Sequence, residues 1–272
     1  MRLLNLKPDR TWSIALAALP FAALLAAYMM GSAMRLAENP NDKLLPSLTA
    51  MGEAVKHYAL EPDPRSGLYL MWNDTLSSMS LLLTALAIST FIALVFGILI
   101  GLLPIMGATF GPVVGVASMV PPLALLPILF IIMGLGDAAK IALIVIGTAL
   151  KLIRDVALRV EDLPREQLIK AQTLGASTWQ IGLRVVLPQM LPRLIDSVRL
   201  ELGPAWLFLI AAEAIASDSG LGYRIFLVRR YLAMDVIIPY VIWITLLAFL
   251  MDLALRLLQR KAFPWFAGAR AA

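Results

Sequence analysis

The sequence lacks cysteine entirely and has a single histidine, His57, among its 272 residues. No disulfide, zinc–thiolate site or iron–sulfur cluster can therefore form, and little is left for a histidine-based metal site. Charge is scarce too: 15% of the residues are charged and 60% are hydrophobic, against about 25% and about 45–50% in a soluble domain. This composition excludes an ordinary soluble domain, a disordered chain and a nucleic-acid binder, and it predicts a membrane protein.

A phosphate-binding loop is missing as well. The chain has no G-x-x-x-x-G-K-[ST] motif, and none of its 17 glycines is followed by lysine. Such a loop cradles the phosphates of ATP, so any ATP that this protein depends on must be hydrolysed by another chain. We expect no catalytic residue, no metal ligand and no cofactor in this chain.

Long apolar runs predict the membrane spans, each of which needs about 20 mostly apolar residues. Residues 75–136 contain no Asp, Glu, Lys or Arg, which allows two spans and a turn at 103–107. The predicted spans are 11–34, 77–102, 108–133, 138–153, 194–217 and 236–255. The fourth is weakest, because only ten uncharged residues separate Lys140 from Lys151, and a buried or re-entrant helix is the alternative. The predicted fold class is all-α, a polytopic bundle of about six transmembrane helices.

The distribution of Lys and Arg predicts the orientation. With the N-terminus inside, the inside segments carry 3, 8 and 4 such residues and the outside segments 4, 1 and 3, a total of fifteen against eight. We therefore expect both termini in the cytoplasm. The first apolar run is too long for the core of a typical cleaved signal peptide, although Arg2, Lys7 and Arg10 precede it.

These spans divide the chain into four parts. They are a cytoplasmic N-terminus with the first span (1–34), an external loop (35–75), a transmembrane core that includes a long cytoplasmic loop at 155–193 (76–255), and a cytoplasmic tail (256–272). Basic and aromatic residues in the tail predict an anchor at the inner leaflet. They are Arg256, Arg260, Lys261, Trp265 and Phe266.

The external loop contains a helical pattern. Leu48, Met51, Val55 and Tyr58 recur at helical spacing, which predicts a short amphipathic helix on the membrane surface. His57 lies on this helix and is expected to be a solvated surface residue. In the outer connection, the residues Arg224, Arg229, Arg230 and Tyr231 are interpreted chiefly as solvated rim residues. The alternative is that they contact an acidic surface of a binding protein or steer anions.

The loop at 155–193 is too long for a simple connection and is not disordered in composition. Pro164 suits a first helical turn, and Gly175 stands where that helix would end. Ser177 and Gln180 have the spacing of a capping box, which predicts a second helix stopped by Pro188. Such a helix–Gly–helix unit either packs on its own bundle or forms a docking surface for a cytoplasmic partner.

This loop resembles the signature of ABC importer permeases, which is E-A-A, three residues, Gly, nine residues and I-x-L-P. Gly175 takes the place of the motif glycine, Ala171 that of its second alanine, and residues 185–188 that of I-x-L-P. Ile169 and Lys170 replace the motif's Glu and first Ala. The segments 174–180, 211–215 and 219–223 are also similar to the nitrate/sulfonate/taurine branch of these permeases.

The resemblance implies a membrane subunit of a type I importer in the bacterial inner membrane. Two copies would pair as a homodimer, a cytoplasmic ATPase dimer would bind ATP and Mg²⁺, and a periplasmic binding protein would deliver the solute. The residues expected to couple to the ATPase are Leu168, Ala171, Leu174, Gly175, Trp179, Leu187 and Pro188.

The solute path is predicted from irregular and charged positions inside the spans. Pro121 and Pro122 interrupt the third span, and such breaks are tolerated where freed carbonyls face protein or a water-filled cavity. Glu201 and Glu213 are acidic residues of the fifth span and mark either the path or a structural hydrogen bond, for Glu213 to the turn at 217–222. Asp196 and Arg199 are expected to pair.

Small residues in two spans predict close helix contacts. Gly97 and Gly101 form one G-x-x-x-G pair, and Gly107, Gly111 and Gly115 form two more. Contacts within the chain are favoured over contacts between copies.

The sequence leaves alternatives open for the solute and for the class of protein. The branch suggests sulfonates, taurine, nitrate or bicarbonate, whereas the acidic residues of the fifth span favour a cation such as guanidinium. A stand-alone secondary transporter needs no ATPase but leaves the 155–193 loop unexplained. An intramembrane enzyme is disfavoured because Glu201 and Glu213 lie about 120° apart around a helix.

Overall fold

The computed structural model describes residues 9–40, 42–64 and 66–268, and within these ranges it contains helices but no β-strand. Arg2 and Lys7 of the N-terminal basic segment, and residues 269–272 of the tail, lie outside the described residues. The helices are α1 (Arg10–Glu38), α2 (Leu48–Leu60), α3 (Leu70–Leu102), α4 (Pro104–Ala117), α5 (Leu126–Met133), α6 (Asp137–Glu161), α7 (Arg165–Thr173), α8 (Thr178–Ile181), α9 (Leu187–Ile215), α10 (Leu221–Arg229), α11 (Met234–Ala262) and α12 (Pro264–Gly268). A 3₁₀ turn at Pro122–Leu125 precedes α5, and a π turn at Gly182–Val186 precedes α9.

Three helical segments are long and apolar enough to cross a membrane: Thr11–Glu38, Leu70–Leu102 and Met234–Ala262. Helix α4 and the segment Pro122–Met133 make a fourth only as a bent pair. Helices α6 and α9 carry too many charged residues to count as apolar spans. They are nevertheless long enough, since their 25 and 29 residues correspond to about 37 and about 43 Å of helix. The all-α polytopic fold is confirmed, and the count of six spans stays a prediction.

The chain divides into two compact units. The first holds α1, α2 and Val228–Val241, and the second holds Leu70–Leu227 and the rest of the chain from Ile242. Within the first unit, the Tyr28 hydroxyl donates to the Pro46 carbonyl at 2.6 Å, and Ser32 Oγ donates to the Leu45 carbonyl at 2.9 Å. These bonds fasten the segment after α1 back onto that helix.

The second unit is built on α3, α6 and α9, which pack closely at glycines. A Cβ at Gly97 would lie 2.6 Å from Val156 Cβ, and one at Gly101 would lie 2.7 Å from Val160 Cβ. The contact predicted for Gly97 and Gly101 is thus made within the chain. At Gly111 and Gly115 of α4, a Cβ would meet no atom of the described chain within 4 Å, so no such contact forms there.

The third predicted span is not one helix. Between α4 and the segment Pro122–Met133 the axis bends by 82°, because Pro121 is extended (φ −68°, ψ 115°) and Pro122 offers no N–H to continue the helix. The predicted turn at 103–107 is shorter than expected, since α4 already begins at Pro104.

Helix α2 confirms the helix predicted in the external loop, and its position on the membrane surface stays a prediction. Ser47 caps it, with Oγ accepting from the Ala50 N–H at 3.1 Å. Of its apolar residues, Met51 is buried in the protein, and Leu48 and Val55 are exposed. Its histidine, His57, is exposed and lies 3.0 Å from Glu61 Oε2.

Candidate functional site

The segment from Pro164 to Leu187, which we call the coupling segment, begins with α7. This helix ends in a Schellman motif: the Gly175 N–H donates to the Gln172 carbonyl at 2.9 Å and the Ala176 N–H to the Ala171 carbonyl at 3.0 Å. The motif needs a left-handed residue, and Gly175 has φ +81°. The helix end predicted at Gly175 is therefore confirmed.

The second half of the coupling segment starts with the predicted capping box. Gln180 N–H donates to Ser177 Oγ at 3.3 Å, and the Gln180 side chain accepts from the Ser177 N–H at 2.8 Å. The prediction that Pro188 stops this helix is wrong. The Leu187 N–H donates to the Gly182 carbonyl five residues earlier, and this wider π turn accommodates the proline ring, so the helix runs on into α9.

The predicted coupling residues divide into two sets. Leu168 and Ala171 are half-buried and pack against the hydrophobic core formed by α3, α6 and α9. Leu174 and Trp179 point outward, with 87% and 70% of their surface exposed. Gly175 and Pro188 are exposed as well, and Leu187 lines an apolar cavity of about 350 Å³ beside Trp179. The segment thus rests on the bundle with one face and presents apolar side chains on the other.

A second group of polar residues lies at the far end of α9. Glu213 is fully buried, and its Oε1 accepts from Ser78 Oγ at 2.6 Å while its Oε2 accepts from the Gly222 N–H at 2.8 Å. Gly220, with φ +120°, lies so close that a Cβ there would be 2.5 Å from Glu213 Cδ. Glu213 therefore makes the structural hydrogen bond to the turn, and its carboxylate is enclosed.

The same buried polar cluster includes an ion pair that the sequence reasoning missed. Asp74 is fully buried and accepts from Arg224 Nε at 2.8 Å and from the Gly220 N–H at 3.2 Å. The interpretation of Arg224 as a rim charge is wrong, because its side chain is 13% exposed and paired. The sequence offered one sign of this ion pair: Asp74 is the charged residue directly before the uncharged run 75–136.

The charges nearer the start of α9 are placed differently. Arg199 pairs with Asp196 at 3.1 Å, as predicted, and also with Asp252 of α11 at 2.6 Å. Glu201 lies 3.9 Å from Lys151 of α6. The expected solute-path residues are thus not brought together: Pro121 and Pro122 mark the bend after α4, Glu201 faces Lys151, and Glu213 is enclosed.

The described residues contain no group of three or more His, Asp or Glu side chains that could hold a metal ion. The arrangement offers instead an exposed apolar surface on the coupling segment and a set of buried polar contacts between helices.

Known structures share this fold. The chain resembles one from inward-facing structures of the MetNI methionine ABC transporter, with a TM-score of 0.59 and 21% identity over 70% of this chain and 96% of that chain. The fold is that of a type I ABC importer permease. Residues 93–264 match the family described as binding-protein-dependent transport system inner membrane component, and the chain belongs to that family.

Curated relatives agree with the branch expected from the motifs. The taurine transport system permease protein TauC of Escherichia coli is 34% identical over 195 residues, 72% of this chain and 71% of the relative. The aliphatic sulfonates permease SsuC of Escherichia coli is 34% identical over 54% of this chain and 56% of its own length, and the bicarbonate permease CmpB of Synechocystis is 26% identical over 72% and 70%.

These comparisons confirm the resemblance to the nitrate/sulfonate/taurine branch and identify the chain as an inner-membrane component of a transport system. Membership of the family implies an ATPase and a solute-binding protein as partners. None of the relatives named above lends support to guanidinium as the solute.

Proposed function

We propose that this chain is the membrane subunit of an ATP-driven importer of small sulfonates, with taurine and alkanesulfonates as the solute class. Two copies of the chain form the translocation path. A separate cytoplasmic ATPase dimer binds ATP and Mg²⁺ and docks on the coupling segments. Both termini, the segment 155–193 and the tail from residue 256 lie on the cytoplasmic side, and the loop at 35–75 lies outside.

The observation that carries this proposal is the exposed apolar face of the coupling segment. Leu174 and Trp179 hold large apolar surfaces away from the bundle on a backbone fixed by the Schellman motif and the capping box. Exposed apolar side chains on a rigid scaffold are typical of the centre of a protein–protein interface. A rigid segment also transmits movement of a bound partner, because its own geometry does not absorb that movement.

The departure from the family motif fits an apolar contact. Ile169 replaces the motif Glu and is 56% exposed on the same helix. We infer that the ATPase meets this position with an apolar groove rather than with a polar group.

The solute class rests on the relatives and on the charges left for the path. TauC and SsuC, each 34% identical to this chain, carry taurine and aliphatic sulfonates in their names. Glu213 is hydrogen-bonded to Ser78 and Gly222, so it does not belong to the proposed solute path. The path residues that we propose are Glu201 and the bend at Pro121 and Pro122.

The test is uptake by proteoliposomes that hold this chain with its ATPase and its solute-binding protein. Taurine and ethanesulfonate should accumulate only when all three proteins and ATP are present. Entry of bicarbonate but of neither sulfonate would overturn the solute class. Sulfonate uptake that continues without the ATPase would instead establish a secondary transporter.

A further inference from the structure

Glu201, at the middle of α9, faces Lys151 of α6. Glu201 has fourteen residues of α9 on either side of it, because α9 begins at Leu187 and not near residue 194 as predicted. Lys151 projects from α6, which packs beside α9 in the same compact unit. Their charged atoms, Lys151 Nζ and Glu201 Oε2, are 3.9 Å apart.

This pair differs from the other ion pairs of the same unit. Arg224 and Asp74 approach to 2.8 Å, and Arg199 and Asp252 approach to 2.6 Å, so both pairs are hydrogen-bonded. At 3.9 Å, Lys151 and Glu201 attract each other without a hydrogen bond. Within the described residues, no donor reaches Glu201 Oε2, although that atom is buried. The pair therefore holds unused hydrogen-bonding capacity.

The surroundings fix the pair but leave one side open. The Lys151 ammonium lies 6.0 Å from the centre of the Phe208 ring, a contact that favours a cation. The Lys151 side chain remains 42% exposed and that of Glu201 remains 16% exposed. The neighbouring carboxylate of Asp155 is engaged by Arg159 at 2.7 Å and by the Ser197 hydroxyl.

Lys151 is half-exposed and lies one helical turn before the segment 155–193, which we place in the cytoplasm, so the pair belongs to the inner part of the bundle. Ionisable side chains inside membrane spans face the bundle interior or a water-filled cavity, and they mark substrate paths. The open side of the Lys151–Glu201 pair therefore belongs to an aqueous path. Its two charges of opposite sign present a dipole to whatever passes.

We propose that Lys151 and Glu201 form a solute subsite for an aminoalkyl sulfonate such as taurine, with the sulfonate on Lys151 and the ammonium on Glu201. The inference rests on the proposed function, and it names the subsite and the dipolar subclass within it. When Lys151 and Glu201 separate, the sulfonate takes the place of Glu201 beside Lys151, and the ammonium takes the place of Lys151 beside Glu201. The solute thereby replaces the attraction that the pair loses. Two single charged contacts hold the solute weakly enough for it to leave, which transport requires.

The test is chemical labelling of lysines in the assembled transporter with a water-soluble amine reagent, sulfosuccinimidyl acetate, followed by peptide mass spectrometry. Lys151 should be modified, and taurine or ethanesulfonate should lower its modification relative to that of Lys56 about fivefold or more. Lys56 is the matched control, since it also lies 3.9 Å from a carboxylate, that of Glu61, but on an exposed helix. Taurine also consumes the reagent through its own amine, so modification of Lys151 is expressed relative to that of Lys56, which neither sulfonate should protect.

The variant Glu201→Gln separates the two ends of the solute. It should weaken protection by taurine about threefold or more relative to protection by ethanesulfonate, which has no ammonium group. A purely structural pair predicts equal changes for both solutes. Equal changes, an unreactive Lys151 beside a reactive Lys56, or modification that neither sulfonate slows would each overturn the proposal.

The outcome is separable from that of the proposed function. Sulfonate uptake with an unprotected Lys151 would refute the subsite and leave the importer intact. No sulfonate uptake by wild-type proteoliposomes would refute the proposed function, whatever the labelling shows.

Discussion

Gly175 and Gly220 both have a positive φ, but they lie in very different surroundings. At Gly175, in the coupling segment, a Cβ would meet no atom of the described chain within 4 Å. At Gly220, in the buried polar cluster, a Cβ would lie 2.5 Å from Glu213 Cδ. Gly175 is thus open to a partner, whereas Gly220 is enclosed by side chains. We therefore expect mutations at the first site to affect coupling and mutations at the second to affect stability.

The largest effect is expected for Gly220→Ala. Backbone strain and overpacking against Glu213 together should lower the free energy of unfolding by about 3–5 kcal/mol. Thermal melting of the purified protein in detergent measures this loss. Gly52→Ala is the control, since a Cβ there meets nothing within 4 Å, and it should not lower the melting temperature. Equal melting temperatures for the two variants would contradict the enclosed cluster.

Next is Arg224→Gln, which leaves the buried carboxylate of Asp74 without its cation. Breaking a buried ion pair from one side costs about 3 kcal/mol or more. The double variant Asp74→Asn with Arg224→Gln should be more stable than Arg224→Gln alone, because it removes the stranded charge. Arg230→Gln, at an exposed position, serves as the control and should melt like the wild type. A double variant that is less stable than Arg224→Gln would speak against the pairing.

A more selective effect is expected for Gly175→Val. A β-branched residue does not adopt φ +81°, so the angle between α7 and α8 must change. Transport should fall about tenfold or more while the cost in stability stays near 1–3 kcal/mol. Gly175→Asn should retain transport, because asparagine tolerates the left-handed region. Normal transport by Gly175→Val would disprove the rigid-segment idea.

The smallest effect on stability is expected for Leu174→Ala and Trp179→Ala. Both side chains are exposed, so the free energy of unfolding should change by no more than about 0.5 kcal/mol. Affinity for the ATPase should nevertheless fall about tenfold, as at a binding hot spot. Co-purification of the ATPase measures this, with Leu60→Ala of α2 as a control of similar exposure. An undiminished yield of ATPase would place the docking surface elsewhere.

Local chemistry in the sequence predicted the coupling segment well. The positive φ of Gly175 and the capping box of Ser177 and Gln180 follow from short-range rules, and the structure has both. The prediction that the helix stops at Pro188 is wrong, because the rule that proline ends a helix assumes regular α-helix before it. A π turn supplies the extra residue that lets the helix continue.

Contacts between distant residues were not predictable from the sequence. Asp74 and Arg224 are 150 positions apart, and only the packing of α3 brings them together. The sequence places Lys151 at the flank of a short fourth span. It places Glu201 near the inner end of a span that begins near residue 194. The real helices are longer, so these two charges lie at the same level of the bundle.

Hydrogen–deuterium exchange of the permease, with and without its ATPase, tests the central comparison most directly. Binding of the ATPase should slow exchange about tenfold in peptides that cover residues 165–181, because the outer face of this segment is exposed without a partner. Peptides that cover residues 213–222 should exchange slowly in both samples, because Glu213 already holds that turn. Unchanged exchange at 165–181 with ATPase bound, or fast exchange at 213–222 without it, would contradict the account.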